Sequence, residues 1–281
     1  MNKSISQRLF VTALFCLMVS ACTPAQPSPT TSVTAIPSDS MVLIPAGPFT
    51  MGTSADQALA ECQKYRTDCH REWFTPEEPA HTVDVPAFYM DIYEVTNGNY
   101  QVCVTAGACQ PPRLTSSKTH EEYYGNAEFD NYPVIDVSWE NATTYCEWRG
   151  ARLPTEAEWE KAARGTDART FPWGEGLDTT YANYAESKFD DPIAVGSYEK
   201  GKSPYGLYDM AGNVWEWVED WYNAYPGGDP AADSQYGQTA RVLRGGAWFD
   251  PGNSIRTTYR GGLDPTHSFG NLGFRCARDA E

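Results

Sequence analysis

Hydrophobic and polar positions follow recognisable periods through the first two thirds of this chain and lose them in the last third. Residues 41–44 and 49–51 read as short strands around the turn Pro45-Ala46-Gly47-Pro48. Residues 54–79 are polar and irregular, with room for one disulfide-closed loop. From 81 to 94, Val83, Val85, Phe88, Met90 and Ile92 take spaced positions, which predicts one or two strands. Thr96 can cap a helix running to about Thr105 and stopped by Gly107. Ser138 caps a second helix over 139–149 that ends at Gly150 and places Trp139, Ala142 and Cys146 on one face. Thr155-Glu156-Ala157-Glu158 is a capping box, in which hydroxyl and carboxylate satisfy free amides reciprocally. The helix it opens turns Trp159, Ala162 and Ala163 inward and stops at Gly165. From 166 to 281, Gly, Pro, Asp and Asn interrupt every apolar run. Long irregular stretches inside a compact domain need staples or ions. No internal repeat is present.

The N-terminus differs from all of this. Lys3 and Arg8 precede an apolar run over residues 9–19, which is shorter than the roughly 20 residues a membrane-spanning helix needs. It ends in Val19-Ser20-Ala21-Cys22, a pattern similar to a bacterial lipobox. The expected organisation is a signal peptide at 1–21, then a lipidated Cys22 and a Pro/Ser/Thr-rich tether over 22–40, then one folded domain over 41–281. The tether has almost nothing to bury and reaches on the order of 25 Å or more as a flexible chain. It would hold the domain to the bacterial cell envelope through the lipid on Cys22, at the periplasmic face or the cell surface. After loss of a signal with two basic residues, 37 acidic side chains face 21 − 2 = 19 basic ones, a net charge of −18. Such a surface argues against nucleic acid or anionic lipid as a partner and is compatible with bound calcium. The four histidines lie far apart and form no metal-ligand pattern.

Once Cys16 leaves with the signal and Cys22 takes the lipid, Cys62, Cys69, Cys103, Cys109, Cys146 and Cys276 remain. An even number outside the cytoplasm suggests three disulfides. Spacing prefers 62–69 and 103–109, which leaves 146–276, although sequence alone permits fifteen pairings. Metal binding by these residues is weakly supported, because no Cys-x-x-Cys occurs.

A set of phrases in order then carries a family resemblance. They are Ile44-Pro45-Ala46-Gly47 with Met51-Gly52, Glu94-Val95-Thr96-Asn97, Val137-Ser138-Trp139, Arg152-Leu153-Pro154-Thr155-Glu156-Ala157-Glu158-Trp159-Glu160 and Phe171-Pro172-Trp173-Gly174. Three more follow: Gly206–Trp217, Arg244-Gly245-Gly246-Ala247-Trp248 and Asn271-Leu272-Gly273-Phe274-Arg275-Cys276. Over 41–281 the chain resembles the formylglycine-generating enzyme, or sulfatase-modifying factor, family. The resemblance implies an α+β fold of the complex C-type-lectin-like kind with little regular secondary structure. It also implies the 146–276 disulfide and bound calcium. Ligands carried over residue by residue are Asp209, the carbonyls of Gly212 and Val214, and Glu216. A second site would use Asn183 and the carbonyl of Tyr184, closed by Asp190 or Asp191. Oxygen donors on a tight loop suit a hard cation.

The catalytic centre does not carry over. Catalytic members of the family oxidise a cysteine in a Cys-x-Pro-x-Arg segment of a sulfatase, using copper held by two cysteines. Here a family serine position is Ala247, the first cysteine position is Asp250, and the second falls within 252–255, where no cysteine stands. Copper(I) needs soft thiolates, so copper is not expected and no catalytic residue is assigned. Cys109-Gln110-Pro111-Pro112-Arg113 itself fits the substrate pattern, but it reads more simply as a disulfide followed by a turn. Two functions are therefore expected to compete. One is a calcium-stabilised binding or display module, expected to be a monomer, whose ligand is a peptide, protein or glycan. Its candidate pocket is Trp215, Arg244, Ala247, Trp248, Phe249, Asp250, Arg256, Tyr259 and Arg260. The variable-protein lectin domains of diversity-generating retroelements resemble it in using this segment for display. The other is a family oxidoreductase of altered chemistry, similar to members linked to pyoverdine maturation.

Overall fold

The computed structural model describes residues 40–280. The expected signal peptide, Cys22 and all but the last residue of the tether lie outside the described residues. Strands β1 (Met41–Ile44) and β2 (Gly47–Met51) flank the expected turn, and the 81–94 segment divides into β3 (His81–Val85) and β4 (Phe88–Asp91). Pro86 separates them, as a residue without an amide donor should. β2 pairs with β3, while β4 lies between β1 and the last strand, β9 (Ala277–Asp279).

The helices follow their caps. α2 (Asn97–Thr105) starts from Thr96, α3 (Trp139–Trp148) from Ser138, and α4 (Glu156–Arg164) from a complete capping box at Thr155 and Glu158. Residues 54–79 are more regular than their polarity suggests. α1 (Ala55–Cys62) is opened by a second capping box, Ser54 with Gln57, and a 3₁₀ segment spans Arg71–Glu77.

The irregular last third contains the largest sheet. β5 (Trp215–Trp221), β6 (Arg241–Arg244), β7 (Arg260–Leu263) and β8 (Leu272–Phe274) run in the order β7-β6-β5-β8, with β5 and β8 parallel. Gly262 sits where a Cβ would come within 2.4 Å of the Tyr222 ring. No helix among the described residues is long and apolar enough to cross a membrane.

Two apolar clusters meet at β5. One joins Phe88 and Met90 to Trp159, Leu207, Val218 and Val242. The other joins Tyr100, Val134 and Tyr145 to Trp217, Leu272 and Phe274, and contains the Cys146–Cys276 disulfide. The other two bridges are Cys62–Cys69 and Cys103–Cys109, so the pairing preferred from spacing is the pairing found.

α4 buries charge as well as carbon. Glu156, Glu160, Lys161 and Arg164 are all buried beside Trp159, Ala162 and Ala163. The Lys161 ammonium donates to the carbonyls of Pro45 (2.7 Å), Gly47 (2.8 Å) and Val85. The helix is thereby pinned to the β1–β2 turn by a buried cation with its donors satisfied.

Candidate functional site

The loop that leads into β5 is shaped by backbone conformations few residues tolerate. Asp209 and Asn213 have positive φ (58° and 61°), and a Cβ on Gly212 would lie 2.2 Å from the Asn183 carbonyl oxygen. Asn213 then crosslinks the region: its amide donates to Glu94 (2.7 Å), its side-chain oxygen accepts from the Ile193 N–H (3.0 Å), and its backbone N–H donates to the Asn183 carbonyl. Glu94, from the Glu-Val-Thr-Asn phrase, was given no role by sequence reasoning.

Glu94, Asp209 and Glu216 form a buried acidic group around one cation, Arg275. Arg275 donates to both oxygens of Glu216 (2.6 and 2.7 Å), and the Trp159 indole N–H donates to the same carboxylate at 2.7 Å. Asp209 accepts from the Gly196 N–H at 2.7 Å. Burial, then the charges of Asp209 and Glu216, push the Glu94 carboxyl well above the usual carboxylate range. Burial pushes Asp209 up to about 6.

The family's calcium can be tested against these atoms. The donors present are all oxygens, and buried acid exceeds buried base. Asn183 adds a second observation: its amide N donates to the Asp191 carbonyl (2.9 Å) and to Asn213, while its side-chain oxygen is buried with no hydrogen-bond partner. An orphaned buried acceptor of this kind fits a hard cation. Glu216 is the least free of the assigned ligands, being shared by Arg275 and Trp159. The Tyr184 carbonyl accepts from the Ser187 N–H, and Asp191 spends its carboxylate on residues 117–119. Among the described residues no three His, Cys, Asp or Glu side chains converge as a ready metal cage, so an ion here would depend on Asn183 and on backbone carbonyls.

The region that aligns with the family's copper centre is closed. Asp250 folds back on its own turn, accepting from the Ala247 N–H (2.9 Å) and from the Trp215 indole N–H (2.8 Å). Ile255 is fully buried with Phe171, Ala182, Tyr184 and Ala211. All six cysteines in the described residues are paired with one another.

Burial raises Asp250 from 3.8 to about 6. A raised carboxyl favours folding fully below its unfolded value, and that contribution is lost as pH rises through the folded value. The wild type should therefore lose stability relative to Asp250→Asn between about pH 4 and pH 7. Denaturant midpoints across that range check this, and parallel pH curves for the two proteins would contradict it.

The expected pocket needs correcting. Arg244, Arg256 and Arg260 do not border the aromatic groove beside Trp248 and Phe249, and Arg256 instead borders a separate cavity of about 410 Å³ with Thr50, Glu61, Arg164 and Thr258. Arg244, Arg256 and Arg260 are each at most 5% exposed. Arg244 pairs with Glu156 and Glu160, Arg256 with Glu77, and Arg260 with Glu156. Ala247 is buried as well, and Tyr259 lies over Trp215 (6.0 Å between ring centres). Sequence reading treated these arginines as surface chemistry because their partners lie up to 179 positions away. From the expected set, Trp248 and Phe249 do reach a groove. It encloses about 390 Å³ between Leu114, Lys118, Trp248, Phe249 and Phe269. Leu114, Phe249 and Phe269 are each nearly half exposed. Leu114, Lys118 and Phe269 were not expected there, and no local pattern marks them.

The nine short strands and four short α-helices of the described residues make an α+β domain of the C-type-lectin-like kind. The profile of the sulfatase-modifying factor enzyme 1-like domain matches residues 26–280, and the chain belongs to that family. Mouse formylglycine-generating enzyme is 33% identical, the match covering 85% of this chain and 75% of that protein. Mouse inactive C-alpha-formylglycine-generating enzyme 2 is 32% identical over 85% of this chain and 86% of that one. Among solved structures, PvdO from Pseudomonas aeruginosa superposes with a TM-score of 0.66 at 27% identity, covering 85% of this chain and 94% of that chain. Variable protein 1 of Treponema denticola, at 24% identity, shares the fold with a TM-score of 0.65, over 85% of this chain and 95% of its own.

Proposed function

We propose that this domain is a binding module of the sulfatase-modifying factor family, tethered to the cell envelope and stabilised by calcium. Its contact surface is the groove between Leu114, Trp248, Phe249 and Phe269, and its ligand is a peptide, protein or glycan. One observation carries the reading: the two positions that correspond to the family's copper thiols hold a self-bonded Asp250 and a segment ending in the buried Ile255, while every described cysteine is in a disulfide. Without a thiolate there is no soft ligand for copper(I). A relative named as inactive, at an identity close to that of the named enzyme, supports a non-catalytic role. Half-exposed aromatics around a groove are what a recognition surface requires.

The decisive assay supplies a Cys-x-Pro-x-Arg peptide, copper(I) and oxygen, and the expected result is no formylglycine. Product at enzymatic rates would end the reading. Peptide and glycan arrays should give ligands for the wild type that a Phe249→Ala, Phe269→Ala double variant fails to hold. Calcium is checked by melting with and without chelator. A cation present at 100 times its Kd stabilises by about 2.7 kcal/mol, so an unchanged Tm would remove calcium from the proposal.

The second reading, an oxidoreductase of altered chemistry, is favoured by the likeness to PvdO and by Asp250, a half-buried carboxyl raised to about 6 in contact with an indole. Stoichiometric iron or copper in dialysed protein, or oxygen consumption with a phenolic or peptide substrate, would promote it above the first.

A further inference from the structure

The segment over 115–120 lies against the groove and belongs to no helix or strand. It is closed on itself at its base, where the N–H groups of Tyr123 and Tyr124 both donate to the Thr115 carbonyl. The hydrogen bonds that hold its tip to the body converge on one side chain, while His120 packs against the Phe129 ring (4.5 Å between ring centres). Asp191 accepts from the Ser117 hydroxyl (2.6 Å), the Lys118 N–H (3.2 Å), the Thr119 N–H (3.1 Å) and the Thr119 hydroxyl. Asp191 is itself buried and fixed through its carbonyl by Asn183. The side chains of the tip are otherwise largely exposed. Lys118 reaches Asp190 in an exposed ion pair and places its ammonium 5.0 Å from the centre of the Trp248 ring.

Beneath that ammonium is an unusual atom. Trp248 is 8% exposed, and its indole N–H is buried with no hydrogen-bond partner. Buried donors are nearly always paired, and an unpaired one calls for an explanation. The indole borders the groove, so a ligand acceptor entering it can supply the missing partner once the segment above has moved.

We propose that residues 115–120 are a lid over the Trp248 end of the groove and that Asp191 is its latch. The proposal rests on the groove being the ligand site and names how access to it is controlled. With the latch closed, Lys118 covers the indole. With it open, the Trp248 N–H and the apolar walls from Phe249 and Phe269 become available together, to an extended ligand that brings a carbonyl or hydroxyl acceptor beside an apolar group. Asp191 is a positioning residue in this scheme and has no contact with the ligand.

The test needs no ligand. Hydrogen exchange at the Lys118 and Thr119 amides reads the latch directly, and trypsin cleavage after Lys118 reads lid opening. Asp191→Ala removes the acceptor, and a Ser117→Ala, Thr119→Val double variant removes the hydroxyl donors while leaving Asp191 in place. Losing hydrogen bonds to a carboxylate should speed exchange and cleavage by about tenfold or more in both variants, with protection in β5 and β6 unchanged. Unchanged rates in both variants would overturn the latch. So would global unfolding of Asp191→Ala with no effect of the double variant, which would make Asp191 a fold residue instead. Failure of the groove reads out separately, as array ligands that survive the Phe249→Ala, Phe269→Ala change.

Discussion

Replacing Arg275 with methionine is expected to destabilise the domain by about 3–5 kcal/mol, a large share of the roughly 5–15 kcal/mol that holds a typical domain together. The guanidinium is fully buried, and it donates to Glu216 and to the carbonyls of Asp91, Ile92 and Tyr208. Methionine fills similar space, so the loss is electrostatic more than steric. What remains is Glu216 without its counter-charge, beside Glu94 and Asp209, whose carboxyls burial already disfavours in the charged form. Removing one partner of a buried pair costs far more than the pair's net worth, because the surviving charge is stranded. Glu216→Gln combined with Arg275→Met should therefore cost less than the sum of the two changes, a coupling a double-mutant cycle measures by denaturant titration. Arg71, whose pair with Asp56 is exposed, provides the contrast: Arg71→Ala should stay within about 1 kcal/mol. Similar losses for Arg71→Ala and Arg275→Met would refute the account.

The second large effect belongs to the Cys146–Cys276 bridge. Its partners are 130 positions apart, against 7 and 6 for the other two disulfides. Closing a loop of that size removes about 4–5 kcal/mol of unfolded-state entropy in the chain model, and native bridges in exported domains are worth about 2–5 kcal/mol in practice. The paired change Cys146→Ser, Cys276→Ser is expected to lose an amount in that range, with Cys103→Ser, Cys109→Ser losing less. Both thiol positions are fully buried in the cluster around Tyr145 and Phe274, so the substitution also leaves two hydroxyls to satisfy. Denaturant midpoints under oxidising conditions decide it, and a loss below about 1 kcal/mol would show that the chain-entropy term is not realised here.

These two sites also mark where sequence reading succeeds and where it stops. α3 and α4 are legible because a cap and its helix lie within a few residues, and Ser138 and Thr155 are found capping as expected. The same signal stood at Ser54 and Gln57, yet the polar run to residue 79 hid α1. The four-stranded sheet was not legible, because β5 pairs with strands from the 241–244 and 272–274 segments and no single run carries its period. The expected helix over 139–149 ends one residue early, Arg149 serving as its C-cap and pairing with Asp91.

For the candidate site the limit is different. The positions of Asp209, Asn183, Trp248 and Phe249 follow from motifs. Burial of Arg244, Arg256 and Arg260 does not, since a charged side chain reads as surface until its distant partner is known. The pattern of the helix that supplies Glu156 and Glu160 shows its cap and its apolar face, and gives no sign that these two carboxylates are buried. The Asp191 contacts to residues 117–119 span over seventy positions and leave no trace in local spacing.

The sheet formed by β1, β4 and β9 has a consequence for engineering. β1 and β9 flank the same strand, and both run antiparallel to it, so they are parallel to each other. Two strand spacings separate them, about 10 Å. Met41 lies opposite Asp91 and Asp279 opposite Phe88, an offset of three residues or about 10 Å along the strands. A linker of about five residues spans the resulting distance. The folded body can accordingly be grafted as a unit into an exposed loop of a host protein, or circularly permuted by joining Met41 to Asp279 and reopening the chain elsewhere. In either format the aromatic groove travels with the body.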